Sequence, residues 1–411
     1  MSVAFASVFD ASRRLLAWLP LSIGLSFALP CAASPAHQQP VNNAKARKHT
    51  PTPKAAAKSH KSHRTQAHAA KATAADSYAS RTDVMQWAHE AATRLDLPTD
   101  WVRQQIGQAR RIPLIEQLVL PAPTPAAKNW AAYRSRFIEP RRIEAGVAFW
   151  QRHQATLARA EQTYGVPASI IVGIIGVETL YGQHMGNFRI LDALATLAFD
   201  FPQAHPRAAE RQAFFKGELD HFLRLTQRSG SDPFSIRGSY AGAMGMPQFM
   251  PSSWSHYAVD FDGDGRIDLF NSPGDTIGSV ANYFKAFQWK TGMPTHYPVT
   301  FTPGQTDMDT LLAPDILPTF SVESFTAKGA QLQGPALQHK GPLALIELRN
   351  GEGAPSYVAG TENFYVVTRY NWSSYYAMAV IELGQAVAER IGRYGLISGQ
   401  AMDGVLRINS R

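Results

Sequence analysis

The sequence has little of several features that define common protein classes. Cys31 is its only cysteine, so a disulfide within the chain is excluded. After residue 29 no apolar run reaches the roughly 20 residues that a membrane-spanning helix needs. Between residues 34 and 75 there is no acidic side chain and no Phe, Trp or Tyr. These absences exclude a disulfide-stapled scaffold, argue against a helical membrane protein and set the start of the chain apart.

The first 33 residues have the pattern of an export signal. Two arginines precede an apolar run over residues 15–29, and the small residues that follow predict cleavage after Ala33. A lipid anchor on Cys31 is the alternative, although a proline stands where a small residue normally precedes a lipidated cysteine. We therefore expect residues 1–33 to be a signal peptide and the mature protein to work outside the cytoplasm.

Residues 34–80 are rich in Ala, Pro, Lys, His, Ser and Thr, which predicts a disordered linker. The Lys and Arg side chains of this linker equal the formal net charge of +8 of the whole chain, so the body that follows is close to neutral. The linker is either a solvated tether or a loose electrostatic contact with an anionic polymer or membrane surface. We expect no nucleic-acid partner.

Beyond residue 81 the spacing of apolar residues is mainly helical. It predicts helices within residues 84–88, 101–106, 145–164, 209–228, 275–289 and 375–394. Between residues 298 and 370, short runs such as Leu343–Leu348 and Phe364–Thr368 are bounded by Gly, Pro and Asn, which predicts strands. The predicted fold class is α+β and predominantly α-helical, with a folded region over residues 81–395 and a C-terminal tail over residues 396–411.

Glu178 lies at the end of a highly apolar predicted helix. Residues 167–177 have no charged side chain, Pro167 suits the first turn and Gly182 supplies a stop. Such a helix is normally buried, so a carboxylate in its last turn loses water and faces the negative end of the helix dipole. Both effects raise the pKa and favour a carboxyl group that can donate a proton. A helix-terminal Glu that simply reaches solvent is the alternative.

The loop over residues 260–275 has the composition of a calcium site. Acids at positions 1, 3, 5 and 9, with Gly at position 6, match an EF-hand loop. Position 12 is Asn271 where a Glu is expected, and Asp275 is the obvious substitute. A metal-free surface turn is the alternative, although four like charges so close together would repel one another. The predicted ligands are Asp260, Asp262, Asp264, the backbone carbonyl of Arg266, Asp268 and Asp275.

Two further stretches carry less specific signals. In residues 238–253, glycines alternate with aromatic and amide side chains, which is typical of a loop whose backbone approaches a ligand closely. An ordinary turn explains that stretch equally well. Residues 363–371 begin and end with asparagine around an aromatic, β-branched run, which alone predicts a strand that packs in the core or at an edge.

These four stretches occur together in one chain, and the chain resembles the membrane-bound lytic murein transglycosylases of the B type over roughly residues 80–395. The resemblance implies a lysozyme-like core with an added helical region and a small β-rich region about residues 298–370. It implies Glu178 as the single catalytic acid. It also implies a set of side chains that line a sugar-binding cleft: Tyr133, Ser239, Gln248, Phe249, Tyr283, Tyr370, Asn371 and Tyr376.

The activity that the resemblance implies is cleavage of peptidoglycan between N-acetylmuramic acid and N-acetylglucosamine, with formation of a 1,6-anhydro end. Glu178 would first protonate the glycosidic oxygen and then, as a carboxylate, take the proton of the attacking C6 hydroxyl. A muramidase that uses water and a non-catalytic, calcium-dependent peptidoglycan-binding protein are the alternatives. We expect a periplasmic monomer that acts on glycan strands, with structural Ca²⁺ and no organic cofactor.

Overall fold

The computed structural model describes residues 77–121, 128–302 and 304–408, and of residues 393–408 only the backbone. The predicted signal peptide, Cys31 and nearly all of the basic linker lie outside the described residues. The folded body begins before the predicted residue 81, because the side chain of Tyr78 is only 2% exposed. The last residues of the predicted linker 34–80 therefore belong to the folded body.

Helices dominate the described part of the chain. In chain order they are α1 (Thr82–Leu95), α2 (Thr99–Gln108), α3 (Pro113–Leu118), α4 (Trp130–Arg134), α5 (Pro140–Arg152), α6 (Gln154–Tyr164), α7 (Ala168–Thr179), α8 (Ile190–Phe199), α9 (Ala208–Ser229), α10 (Pro251–Tyr257), α11 (Pro273–Ala286), α12 (Met308–Leu312), α13 (Val322–Ala327), α14 (Glu362–Thr368) and α15 (Ser374–Ile408). Short 3-10 turns cover Tyr78–Ser80 and Gly334–Gln338.

Two helix predictions need correction. The single helix predicted over residues 145–164 is two helices, because the backbone leaves helical geometry at His153 between α5 and α6. The described residues of the predicted tail 396–411 continue the helical backbone of α15 as far as Ile408. Apolar spacing alone does not register a single non-helical residue between two helices.

The strands form small antiparallel sheets, as the β-rich prediction for residues 298–370 requires. They are β1 (Phe188–Arg189), β2 (Arg237–Gly238), β3 (His296–Pro298), β4 (Thr300–Phe301), β5 (Ala330–Gln331), β6 (Ala344–Asn350) and β7 (Gly353–Gly360). The sheets have the orders β1–β2, β3–β7–β6 and β4–β5. The β6–β7 hairpin contains an irregularity between Leu348 and Asn350 and turns at Gly351, whose φ is +66°.

One strand prediction is confirmed and one is wrong. The run Leu343–Leu348 corresponds to β6, but Phe364–Thr368 is the body of helix α14. The hydroxyl of Thr361 accepts a hydrogen bond from the Asn363 amide and caps that helix. Short apolar runs fit a buried strand and a buried helix equally well, so the cap decides between them.

Helix α7 lies in the centre of the hydrophobic core and packs against α15 at very short range. A Cβ atom at Gly173 would come within 2.2 Å of the Val380 carbonyl oxygen. A Cβ atom at Gly384 would come within 2.0 Å of the Ser169 carbonyl oxygen. The two glycines therefore let the backbones of α7 and α15 approach more closely than side chains would allow. This contact fixes the helix on which Glu178 lies.

A second, smaller core lies under the β-rich part of the chain and includes Leu311, Phe325, Leu343, Leu345 and Ala359. Across the residues that the structure describes, no single helix has the length and apolar composition to cross a membrane. Helices α6 and α7, which meet at a bend of 116°, pass that test only when they are taken together.

Candidate active site

Glu178 occupies the last turn of α7, as predicted. The helix ends at Leu180, whose φ is +51°, so the predicted stop at Gly182 comes two residues late. The hydroxyl of Thr179 donates to the Met246 carbonyl oxygen at 2.8 Å. This bond ties the end of the helix to the glycine-rich segment that lies beside it.

The electrostatic environment of Glu178 matches the sequence-based expectation. Burial raises the pKa of Glu178 to about 7, and the hydrogen bond from the Tyr376 hydroxyl to its Oε1, at 2.5 Å, opposes that rise. No other carboxylate among the described residues contributes to the shift. The side chain is nevertheless partly accessible. A carboxyl group of this pKa can both donate and accept a proton near neutral pH.

Aromatic rings form a wall beside Glu178. Tyr370 stacks on Tyr376 with ring centroids 6.4 Å apart and also contacts Phe249 and Tyr283 at 5.9 and 4.9 Å. Phe249 and Tyr283 are only 2% and 6% exposed, so they support the wall from within. Tyr370 is half-buried and is the member of this group that offers accessible surface.

Tyr133 approaches the same carboxylate from a different element, α4. Burial and then the negative charge of Glu178 raise the pKa of Tyr133 to about 12. Its ring packs edge-on against Tyr375 at 5.8 Å and keeps part of its surface accessible. The structure therefore brings a residue 45 positions before Glu178 into the neighbourhood that the sequence assigned to it.

The glycine-rich segment is a compact loop between β2 and α10. Met244 and Phe249 exchange both backbone hydrogen bonds, and Gln248 between them has a left-handed φ of +51°. The side-chain amide of Gln248 donates from its Nε2 atom to the carbonyl oxygens of Met185 and Gly245 at 3.2 and 2.9 Å. An amide that bridges two chain segments in this way holds the loop against the residues that follow α7.

Ser239 and Asn371 are the two predicted polar residues whose side chains make the fewest hydrogen bonds in the described part of the chain. The Ser239 hydroxyl accepts a hydrogen bond from the backbone amide of Ala243 at 3.0 Å. Ser239 and Asn371 are both half-buried. The Oδ1 atom of Asn371 is buried without a hydrogen-bond partner in the described part of the chain. Neither side chain hydrogen-bonds to Glu178 within the described residues, although both belong to segments that flank it. A buried acceptor without a partner suits a ligand that brings a donor.

The predicted calcium loop brings together three of its acids. One carboxylate oxygen each of Asp260, Asp262 and Asp264 lies within 4.8 Å of the other two, and all three side chains are exposed. Gly263 and Gly265 adopt φ values of +81° and +87°, which permit the tight turn. Three converging carboxylates supply the hard oxygen donors that Ca²⁺ prefers.

Asp268 and Asp275 lie outside this group, contrary to the predicted ligand set. Asp275 is 1% exposed and accepts from the amides of Phe261, Asp262 and Asp268 at 2.8–3.2 Å. Asp268 accepts from the amides of Phe270 and Asn271. Their oxygens satisfy backbone N–H groups that the turn leaves unpaired and so shape the loop. Asp260, Asp262 and Asp264 accept backbone amides in the same way. At Arg266, whose backbone carbonyl was a predicted ligand, the backbone amide donates a hydrogen bond to the Asp264 carboxylate at 2.8 Å.

Sequence reasoning missed several residues that support this site. Arg142 of α5 donates to the Gly176 carbonyl oxygen at 2.5 Å, which satisfies the C-terminal end of α7. Ser272 caps α11 and donates to Asp262 at 2.5 Å. The serine before Pro273 was a readable cap signal. Arg142 had none, because its partner is a backbone group 34 residues away.

The chain matches a family model and a relative among known proteins. A family model described as the transglycosylase SLT domain matches residues 79–385. The membrane-bound lytic murein transglycosylase B of Escherichia coli K12 is 41% identical over 319 residues, which cover 76% of this chain and 84% of that protein.

Two solved structures extend the comparison. The E. coli lytic transglycosylase Slt35 in complex with calcium is 40% identical with a TM-score of 0.67, over 76% of this chain and 95% of that one. SltB3 of Pseudomonas aeruginosa in complex with NAG-anhNAM-pentapeptide is 28% identical with a TM-score of 0.62, over 74% and 79%. The predicted α+β, mostly helical fold around a lysozyme-like core is confirmed.

Proposed function

The chain belongs to the transglycosylase SLT domain family, and from this premise we propose that it is a lytic murein transglycosylase. It cleaves the β-1,4 bond between N-acetylmuramic acid and N-acetylglucosamine in peptidoglycan and leaves a 1,6-anhydro-muramoyl end. Support comes from a relative whose solved complex holds NAG-anhNAM-pentapeptide. The chain accordingly acts on glycan strands in cell-wall remodelling and recycling.

In the proposed reaction Glu178 acts twice. Its carboxyl proton passes to the glycosidic oxygen as the bond from C1 to that oxygen breaks, and the electron pair leaves with the N-acetylglucosamine. The resulting carboxylate then takes the proton of the C6 hydroxyl while the C6 oxygen forms a new bond to C1. No water is consumed, and Glu178 ends the cycle protonated.

The observation that carries this proposal is the single carboxylate. Hydrolases that use two carboxylates pair the acid with a nucleophile or a base. Here the pKa of Glu178 is raised to about 7 by burial, with no contribution from a second acid among the described residues. When the substrate's own C6 hydroxyl is the nucleophile, one group that alternates between acid and base is enough.

The side chains around Glu178 have distinct roles in this proposal. Tyr376 donates to the carboxylate form of Glu178 and stabilises it after the first proton transfer. Tyr133 and Tyr370, which keep accessible surface, contact sugar rings. Phe249 and Tyr283 support that surface from behind. A separate group of polar side chains meets the sugar hydroxyl and acetamido groups: Ser239, Gln248 and Asn371.

The test of the reaction type is the chemistry of the product ends. Purified protein is incubated with peptidoglycan, and the released muropeptides are analysed by mass spectrometry. The proposal expects anhydro-muramoyl ends, which are lighter by one water than the reducing ends of a hydrolase. Exclusive formation of reducing ends would make the protein a muramidase, and no release at all would make it a binding protein.

We also propose that the loop over residues 260–275 holds a structural Ca²⁺ ion. A relative has been solved in complex with calcium. In this chain Asp260, Asp262 and Asp264 supply converging oxygens, and Asp275 organises the backbone around them. The ion offsets the repulsion among these carboxylates and stabilises the loop that leads into α11. Calcium affinity measured by titration calorimetry, against Asp262→Ala/Asp264→Ala, tests this site.

The proposed location is the periplasm, where the substrate is found. The first relative is described as membrane-bound, which supports an envelope location. The signal over residues 1–33 and the basic linker that follows lie outside the described residues, so they enter this proposal from the sequence alone. Fractionation of cells that express the full chain, with and without Cys31→Ser, separates soluble export from lipid anchoring.

A further inference from the structure

Glu218 of α9 is a second buried glutamate, and the proposed reaction does not use it. Its side chain is 3% exposed. One carboxylate oxygen accepts from the Ser252 amide at 2.9 Å, and the other accepts from the Ser252 hydroxyl at 2.7 Å. Ser252 lies in the first turn of α10. The carboxylate thus satisfies an amide that the start of this helix would otherwise leave unpaired.

Ser252 lies three residues after Phe249, at the end of the glycine-rich segment. Five residues earlier in the same segment, Pro247 accepts a hydrogen bond at its carbonyl oxygen from the Tyr370 hydroxyl at 2.5 Å. Gln248 lies between these two attachments with its left-handed φ of +51°. The part of the segment from Pro247 to Ser252 is therefore held at one end by a tyrosine of the aromatic wall and at the other by a buried carboxylate.

We propose that Glu218 is a positioning residue, which acts through Ser252 to hold Gln248 and Phe249 in their binding geometry. The inference rests on the proposed function, because that function assigns Gln248 and Tyr370 to the sugar-binding cleft. Glu218 itself makes no contact with Glu178 in the described part of the chain.

The physical reason is backbone strain. A non-glycine residue in the left-handed region costs free energy and persists only where its surroundings determine the backbone. With Glu218 removed, the amide and hydroxyl of Ser252 lose their acceptors inside the protein, and the start of α10 is free to shift. The strain at Gln248 can then relax, and the segment is no longer organised before the glycan binds.

The experiment measures glycan affinity in a background that cannot turn over. In Glu178→Gln protein, titration calorimetry with a soluble peptidoglycan glycan fragment compares the parent with Glu218→Ala, Glu218→Gln and Ser252→Ala. Glu218→Ala should raise the dissociation constant by about three- to tenfold, the effect of one lost hydrogen bond. Glu218→Gln should bind better than Glu218→Ala, since its carbonyl oxygen still accepts from the Ser252 amide.

Asp220→Ala is the matched control. Asp220 lies on the same helix but pairs with Arg94 of α1 at 2.9 Å, away from the glycine-rich segment. It should lower stability without changing affinity, as a merely structural role would. Glu218→Ala that binds like the Asp220 control, or no better binding by Glu218→Gln, would overturn the proposal. If Glu218→Ala does not fold, Ser252→Ala decides in the same way, with an expected loss of about threefold.

The two proposals fail separately in this design. Affinity in the Glu178→Gln background does not depend on what product the wild type makes. Anhydro ends from the wild type test the reaction, and the dissociation constants test the positioning role. A melting curve of every variant establishes that the compared proteins are folded at the temperature of the titration.

Discussion

Glu178 and Glu218 lie in different regions of the molecule but share one electrostatic feature. Burial raises the pKa of each to about 7. They differ in what surrounds the carboxylate. Glu178 receives one hydrogen bond, from the Tyr376 hydroxyl, and stays partly accessible, whereas Glu218 is sealed and both of its oxygens are bound by Ser252. A raised pKa therefore does not by itself identify a catalytic acid, and of these two carboxylates only that of Glu178 is accessible to a substrate.

The helix dipoles sharpen the contrast. Glu178 belongs to the C-terminal turn of α7, where the dipole disfavours the ionised form. Glu218 faces the N-terminal turn of α10, where the amide and the dipole favour it. Both pKa values are raised nonetheless, so at Glu178 the loss of water and the dipole act in the same direction, whereas at Glu218 the loss of water outweighs the dipole. Local helix position alone would have predicted opposite shifts.

The largest test of this comparison is catalytic. Glu178→Gln keeps the shape of the side chain but cannot exchange a proton, so release of muropeptides should fall by about 10²–10⁴-fold or more. Glu218→Gln should keep most of the activity. Both variants are assayed on the same peptidoglycan at saturating substrate, with circular dichroism as the folding control. Near wild-type release by Glu178→Gln would assign the acid elsewhere.

A smaller effect is expected from the hydrogen bond that distinguishes Glu178. In Tyr376→Phe the carboxylate loses its donor, so the pKa of Glu178 should rise further. The basic limb of the pH–rate profile should move to higher pH, and the turnover number should fall by about tenfold. Asp220→Ala serves as the control, because Asp220 pairs with Arg94 and does not contact Glu178 or Tyr376 in the described part of the chain. An unchanged basic limb in Tyr376→Phe would mean that another group controls it.

The sequence reveals Glu178 but not Glu218, and the reason is the range of the interactions. The burial of Glu178 follows from eleven consecutive uncharged residues that precede it, which is a local pattern. Glu218 lies in an amphipathic helix among several charged residues, and its partner is 34 positions away. Only the packing of α9 against α10 creates that contact, and no spacing rule along the chain encodes it.

The same distinction explains the other errors. The convergence of Asp260, Asp262 and Asp264 could be predicted, because alternation within a short loop fixes it. The place of Asp268 and Asp275 outside that group could not be predicted, since the amides that they accept depend on how the loop closes onto α11. Thr361 decided α14 against a strand through a cap that apolar spacing does not detect.

Stability as a function of pH offers a third test. The native state keeps protons on Glu178 and Glu218 up to a pKa of about 7, while the unfolded chain releases them near 4.5. Between these values the native state binds more protons, so the free energy of unfolding should fall as the pH rises. Glu178→Gln should therefore be more stable than the wild type at pH 8, by roughly 1–3 kcal/mol. Urea denaturation at pH 5 and pH 8 measures this.

Glu218→Gln should gain less at pH 8 than Glu178→Gln. Its amide replaces a carboxylate that accepts two hydrogen bonds from Ser252, so part of the gain is lost with the weaker acceptor. Equal gains in the two variants would show that the bonds of Ser252 do not stabilise the ionised form. A wild-type protein whose stability does not change across this range would remove the basis for comparing the two residues.

The smallest expected effect concerns acids that are not buried. Asp260, Asp262 and Asp264 are exposed, so their mutual repulsion is the property that a cation relieves. Calcium at about tenfold excess over its dissociation constant should stabilise the folded state by roughly 1–2 kcal/mol. That stabilisation corresponds to a rise of roughly 1–3 °C in melting temperature. This stabilisation by calcium should vanish in Asp262→Ala/Asp264→Ala. Scanning calorimetry with calcium and with chelator makes the measurement.

The pH–rate profile should stay unchanged with chelator at low temperature, because no charge of this loop contributes to the pKa of Glu178. A chelator that shifts the profile of the wild type would mean that the loop acts on the chemistry of Glu178.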